Sequence, residues 1–103
     1  MNRVADTLDS NPQGFVFLTN HAHVLLLIAR ETDLRMRELA TEVGITERAV
    51  QRIVEELTAS GYLIVTKDGR RNHYQVREEL FVGHRVASHR TVGELVRFVF
   101  PEG

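Results

Sequence analysis

The sequence predicts a mainly α domain carrying one small β-hairpin, and three observations predict it. Apolar residues recur at helical spacing in two adjacent stretches, Met36, Leu39, Ala40 and Val43, then Val50, Ile53, Val54 and Leu57. A glycine follows each stretch, Gly44 and Gly61. Beyond Gly61 the period changes to β-rich residues on either side of an Asp-Gly pair, the pattern of a hairpin. At 103 residues the chain has room for one core and not for two ordinary domains.

Taken in order, the elements begin after an arm over residues 1–18, mostly polar and ending in a short apolar patch, residues 14–18. Thr19 and Asn20 can each cap a helix with a side-chain oxygen, so the first helix is expected to start there. Its apolar set, Ala22 and residues 24–29, is too broad for a helix buried on one face. It is expected to be packed on several sides, either as the central core helix or within a subunit interface. The second helix spans residues 36–43 and stops at Gly44, which can take a left-handed turn without steric cost. Ile45 fills that turn. Thr46 is the expected N-cap of a third helix over residues 47–60, and Glu47 sits favourably at the positive end of its dipole.

Residues 62–66 read as a strand, 67–72 as a turn, and 73–76 as the returning strand, giving a hairpin with a basic tip. Residues 77–90 show no strong period. Thr91 and Glu94 then match the capping box, and a last helix is expected to run to about Phe100, before Pro101. The chain divides accordingly into the arm 1–18, a central unit 19–77, and a linker with a C-terminal helix, 78–103.

An apolar content of 43% with few prolines belongs to a globular chain. With no cysteine, disulfides and thiolate metal sites are excluded, and a cytoplasmic setting is expected. The first residues lack the basic and apolar regions of a secretory signal. The longest apolar run, residues 24–29, falls far short of the roughly 20 residues a membrane span requires. The net charge of -1 conceals an asymmetry: residues 1–34 carry two basic and four acidic groups, residues 35–77 eight and six, and residues 78–103 three and four. Only the middle of the chain is net positive.

Two short helices joined by a glycine-containing turn form a helix-turn-helix, whose second helix can enter the DNA major groove. Small Ala40 permits close approach, and Ile45, Val50 and Ile53 lock the interhelical angle. The string from Arg37 through Leu57, including Leu39, Ala40, Val43, Gly44, Ile45, Thr46, Val50 and Ile53, followed by Gly61-Tyr62-Leu63-Ile64, resembles the winged-helix transcription regulators of the MarR and ArsR type. The resemblance covers residues 20–77. It implies a winged helix-turn-helix with a three-helix core and a small sheet, to which the helix expected after Thr91 adds a C-terminal helix. It also implies a dimeric repressor or activator that contacts double-stranded DNA through a recognition helix and a wing.

Carried onto this sequence, the recognition helix offers Thr46, Glu47, Arg48, Gln51 and Arg52, of which Arg48, Gln51 and Arg52 are favoured. Arginine can bond guanine bidentately, glutamine can pair with adenine, and a threonine hydroxyl can hold a phosphate. In the wing, Arg70 and Arg71 are expected over the DNA backbone or minor groove, with Lys67 and His73 as secondary candidates.

Two other readings start from the same residues. Near-neutral charge suits a winged helix that binds protein rather than DNA, with Glu55 and Glu56 on the contact face. The five histidines raise a metal-sensing repressor using His84, His89 and Glu94, or His21 and His23, but neither set closes a ligand pattern. No glycine-rich phosphate loop, nucleophile motif or carboxylate pair marks an enzyme, and no cofactor is expected. Val92, Leu95, Val96 and Val99 form a stripe on the last helix, with Phe98 and Phe100 off it. That apolar excess, with the broad first helix, predicts a homodimer built from the first and last helices.

Overall fold

A computed structural model describes residues 16–83 and 85–102, so most of the arm, together with His84, lies outside the described residues. Four helices and one hairpin follow in order: α1 (Asn20–Arg30), α2 (Met36–Val43), α3 (Glu47–Ala59), β1 (Leu63–Asp68), β2 (Arg71–Val76) and α4 (Val92–Val99), with a 3-10 turn at Arg85–Ala87 before α4. This is the predicted winged helix-turn-helix.

α1 starts where a cap was expected, the Thr19 hydroxyl oxygen accepting the Ala22 N–H at 3.2 Å. Val24, Leu25, Leu26 and Ile28 are buried, and α1 packs against α2, α3, β2 and α4. Its broad apolar surface is therefore consumed largely within this chain, as the central core helix. Ile28, Leu39, Val24 and Val50 are the largest fully enclosed side chains, and each such burial stabilises the fold by about 1.5–3 kcal/mol.

The helix-turn-helix follows from one carbonyl. Gly44 adopts φ +85°, and its N–H and that of Ile45 both donate to the Ala40 carbonyl, at 2.8 and 3.1 Å. A side chain at Gly44 would strain that left-handed conformation. Thr46 then restarts the helix, its hydroxyl oxygen accepting the Ala49 N–H at 3.0 Å. Val50, Ile53, Val54 and Leu57 form the buried face of α3 as their spacing predicts. The helix ends at Ala59 with Ser60 as its C-cap, one residue before the predicted limit.

The hairpin departs from expectation. Its strands pair antiparallel from Leu63 opposite Val76 to Asp68 opposite Arg71, so the turn is Gly69-Arg70 alone. Lys67, Asp68, Arg71 and Asn72, predicted in the turn, belong to the ladder. Two-residue loops match the twist of paired strands, and longer ones are not needed here. Only Leu63 and Tyr74 are buried, so the outer ladder carries polar side chains on both faces and lacks the alternation by which a strand is recognised.

Residues 77–90 are organised by backbone hydrogen bonds rather than by periodic burial. Arg77 N–H donates to the Tyr62 carbonyl at 2.9 Å, Val92 N–H to Leu80 at 2.8 Å and Gly93 N–H to Glu78 at 2.9 Å. Gly93 allows this approach, since a Cβ there would lie 3.1 Å from the Glu78 Cβ. α4 opens with the predicted capping box: Glu94 N–H donates to the Thr91 hydroxyl oxygen at 3.2 Å and Thr91 N–H to the Glu94 carboxylate at 2.8 Å. Val92 and Val96 are buried, whereas Phe98 is 84% exposed. Phe100 turns back on the core, with the Arg30 guanidinium 4.5 Å above its ring.

Candidate nucleic-acid interface

Because Val50, Ile53, Val54 and Leu57 point inward, helical geometry sends Arg48 and Arg52 outward, and both are exposed. Neither makes an ion pair among the described residues, so the intrahelical pairs that Glu55 and Glu56 could offer do not form. Glu56 instead accepts a 2.6 Å hydrogen bond from the ring nitrogen Nε2 of His21, joining α1 to α3. Gln51 and Glu55 occupy the flank of α3 that faces the hairpin, where they line a groove with Val65 and Asn72. The Thr46 hydroxyl is engaged as a cap acceptor but keeps its proton to donate. Glu47 is exposed beside it, able to accept from a cytosine amino group but repelled by phosphate.

The four wing candidates separate into two pairs. Lys67 and Arg70 are exposed, with no ion pair among the described residues. Arg71 donates from Nη2 to the Asp33 carbonyl at 2.9 Å. His73 lies between two carboxylates, Nδ1 at 3.2 Å from Asp33 Oδ1 and Nε2 at 3.4 Å from Asp68 Oδ2. Lys67 and Arg70 are thus available to a ligand, while Arg71 and His73 hold the hairpin to the loop between α1 and α2.

The fold also brings in residues the sequence reading did not select. Arg35, just before α2, lines one concavity with Arg70 and Arg71, and Arg37 is exposed in the first turn of α2. No local signal marks Arg35, because its closeness to the wing depends on how the hairpin returns across the chain. Asp33, whose carbonyl accepts from Arg71 and whose carboxylate lies 3.2 Å from the His73 ring, is likewise invisible to sequence spacing. Among the described residues, no group of three or more His, Asp and Glu side chains could hold a metal ion. Of the histidines considered for metal, His21 is engaged by Glu56 and His84 lies outside the described residues.

The MarR family model matches residues 17–71, just over half of the chain and the span that contains α1, the helix-turn-helix and the start of the wing. Among solved structures, the chain is similar to the zinc-dependent MarR family transcriptional regulator AdcR in its Zn(II)-bound state. The identity is 24% and the TM-score 0.49, over 74% of this chain and 66% of that one. The chain thus spans just under two thirds of the length of that protein. No curated protein matches it.

Proposed function

This chain belongs to the MarR family, a family of transcription regulators and not of enzymes, and from that premise we propose that it binds double-stranded DNA as a homodimer, with α3 in the major groove and the hairpin on the backbone or minor groove. The observation that carries this reading is the outer face of α3, where Arg48 and Arg52 stand exposed and, among the described residues, without an ion pair, as do Lys67 and Arg70 on the wing. Arg48 and Arg52 read guanine, Gln51 reads adenine, and the Thr46 hydroxyl donates to a phosphate. Lys67, Arg70 and Arg35 neutralise backbone phosphates. Binding then rests on the placement of these groups and on their doubling in a dimer, not on overall basicity.

Residues 19–77 supply the DNA-binding unit, and residues 78–103 supply dimerisation. The support for a dimer is exposed apolar surface: Phe98 on α4 with Val99 beside it, and Val16 ahead of α1. Leu18, Leu27, Val43 and Phe100 line a groove with Val99 at the same end of the molecule. A symmetric pair joined there presents two recognition helices to half-sites about one helical turn apart.

Selection of bound sites from a random duplex pool tests the whole reading, and the recovered sequences are expected to form a palindrome. Replacing both Arg48 and Arg52 by alanine is expected to weaken binding to a selected site by at least tenfold, since a bidentate base contact is worth about 1–3 kcal/mol. Unchanged affinity in that variant would remove α3 as the reading element. Absence of any salt-dependent binding would leave the fold serving protein contacts instead.

A further inference from the structure

Resting on the reading that the wing lies on the DNA backbone, we propose that the concavity between the start of α2 and the wing seats a single phosphate group. Arg35 grips it from the helix-turn-helix and Arg70 from the hairpin. Arg35, Met36, Arg70, Arg71 and Tyr74 line one hollow of about 230 Å³. The bond from Arg71 Nη2 to the Asp33 carbonyl, 2.9 Å, draws the start of β2 to the loop before α2. Arg71 thereby brings its neighbour Arg70 into the same hollow as Arg35.

Three guanidinium groups lining one hollow repel one another, and the chain supplies no acid there to offset them. Among the described residues, no carboxylate lines it. The nearby acids are directed elsewhere. The carboxylates of Asp33 and Asp68 lie 3.2 and 3.4 Å from the His73 ring, and that of Glu38 accepts the Arg35 backbone N–H at 2.7 Å. The guanidinium groups of Arg35 and Arg70 are exposed and make no hydrogen bond or ion pair among the described residues.

Two neutral sources of donors join them. Met36 opens α2, so the first-turn N–H groups and the positive end of the helix dipole lie at the hollow. Tyr74 is buried, and its hydroxyl has no hydrogen-bond partner among the described residues, although a buried phenol usually finds one. This residue lines both the hollow and the groove beside α3. An anion with several acceptor oxygens suits such a set of donors, and the guanidinium fork matches phosphate oxygens in pairs. A duplex backbone carries that group, and so does a phosphorylated small molecule. Held by both elements at once, a backbone phosphate couples the wing to the helix-turn-helix and fixes the register of α3 on the duplex.

Salt dependence on a selected duplex tests the sharing. Arg35 takes part in the start of α2 through its main chain, donating to Glu38 and accepting the Leu39 N–H at 2.9 Å, so Arg35→Ala keeps both bonds. Arg35→Ala and Arg70→Ala are each expected to lower the slope of log affinity against log salt by about one. The double variant is also expected to lose about one, because all three lose the same phosphate. A double variant that loses about two gives each arginine a phosphate of its own and overturns the proposal.

A second measurement needs no DNA. Inorganic phosphate, titrated into the free full-length protein at constant ionic strength, is expected to shift the Met36 and Arg70 amide resonances with one midpoint. Arg35→Ala is expected to abolish the response at Arg70. No response, two midpoints, or an Arg70 response that survives Arg35→Ala would each overturn the seat. A joint response in a protein that binds no duplex at any salt concentration supports the seat and assigns it to a phosphorylated small molecule. That outcome overturns the DNA-binding reading instead.

Discussion

Four arginines in the central unit show how little a residue type says alone. Arg48 and Arg52 are left unpaired by α3, whereas Arg71, next in sequence to the equally unpaired Arg70, spends its guanidinium on the Asp33 carbonyl. The sequence places all four on a basic recognition face and tip and treats Arg70 and Arg71 alike. It could not do otherwise, since the residue that distinguishes them lies 38 positions earlier. The distinction is measurable as salt dependence. Arg70→Ala is expected to lower the slope of log affinity against log salt by about one, the signature of a lost phosphate contact. Arg71→Ala is expected to weaken binding with the slope little changed, because it loosens the wing without removing a contact. Equal slope losses in both variants would put Arg71 on the phosphate as well.

Helices were legible from the sequence because each carries its own signals. Thr19, Thr46 and Thr91 each cap the helix they were expected to start, and the buried face of α3 follows its apolar spacing. The hairpin turn and residues 77–90 were not, and for a common reason: their order comes from backbone hydrogen bonds, to which side-chain pattern is blind. The capping box of α4 carries a pH dependence of its own. The Glu94 carboxyl is held below its usual range mainly by the Thr91 backbone N–H, against some desolvation, with help from Arg90. Because ionised Glu94 is the form that closes the box, its contribution is complete above the ordinary value of 4.5 and is lost as pH falls through the lowered one. The protection of amides in the first turn of α4, taken relative to their intrinsic exchange rates, is therefore expected to fall on acidification below that point. Glu94→Gln is expected to show weaker protection at neutral pH and little further loss in acid. A variant as well protected as wild type at pH 7 would mean that the charge of Glu94 contributes nothing to the cap.

For the whole molecule, the apolar excess on the last helix was readable, but its division between two uses was not. Phe98 and Phe100 differ by two positions, and which of them meets the core is decided by how α4 lies against α1. Phe100 closes over the chain's own interior, so its loss bears on folding, while Phe98 is left facing out. Phe98→Asp is accordingly expected to halve the mass measured by light scattering while helical content and cooperative unfolding persist. Operator affinity is expected to fall with it, since a single subunit presents half the cations. An unaltered mass in a folded Phe98→Asp protein would place the subunit contact elsewhere. The central position of α1 adds a constraint on the proposed dimer, for it spends most of its apolar surface inward and leaves Leu27 to line the groove beside α4.

The aromatic inventory gives this protein an optical property. It contains no tryptophan and two tyrosines, and both stand at the root of the hairpin. Tyr74 is buried on β2, and the Tyr62 hydroxyl donates to the Phe81 carbonyl at 2.8 Å. Its intrinsic ultraviolet emission therefore originates where the wing meets the core, and the unlabelled protein carries its own fluorescent gauge of that junction.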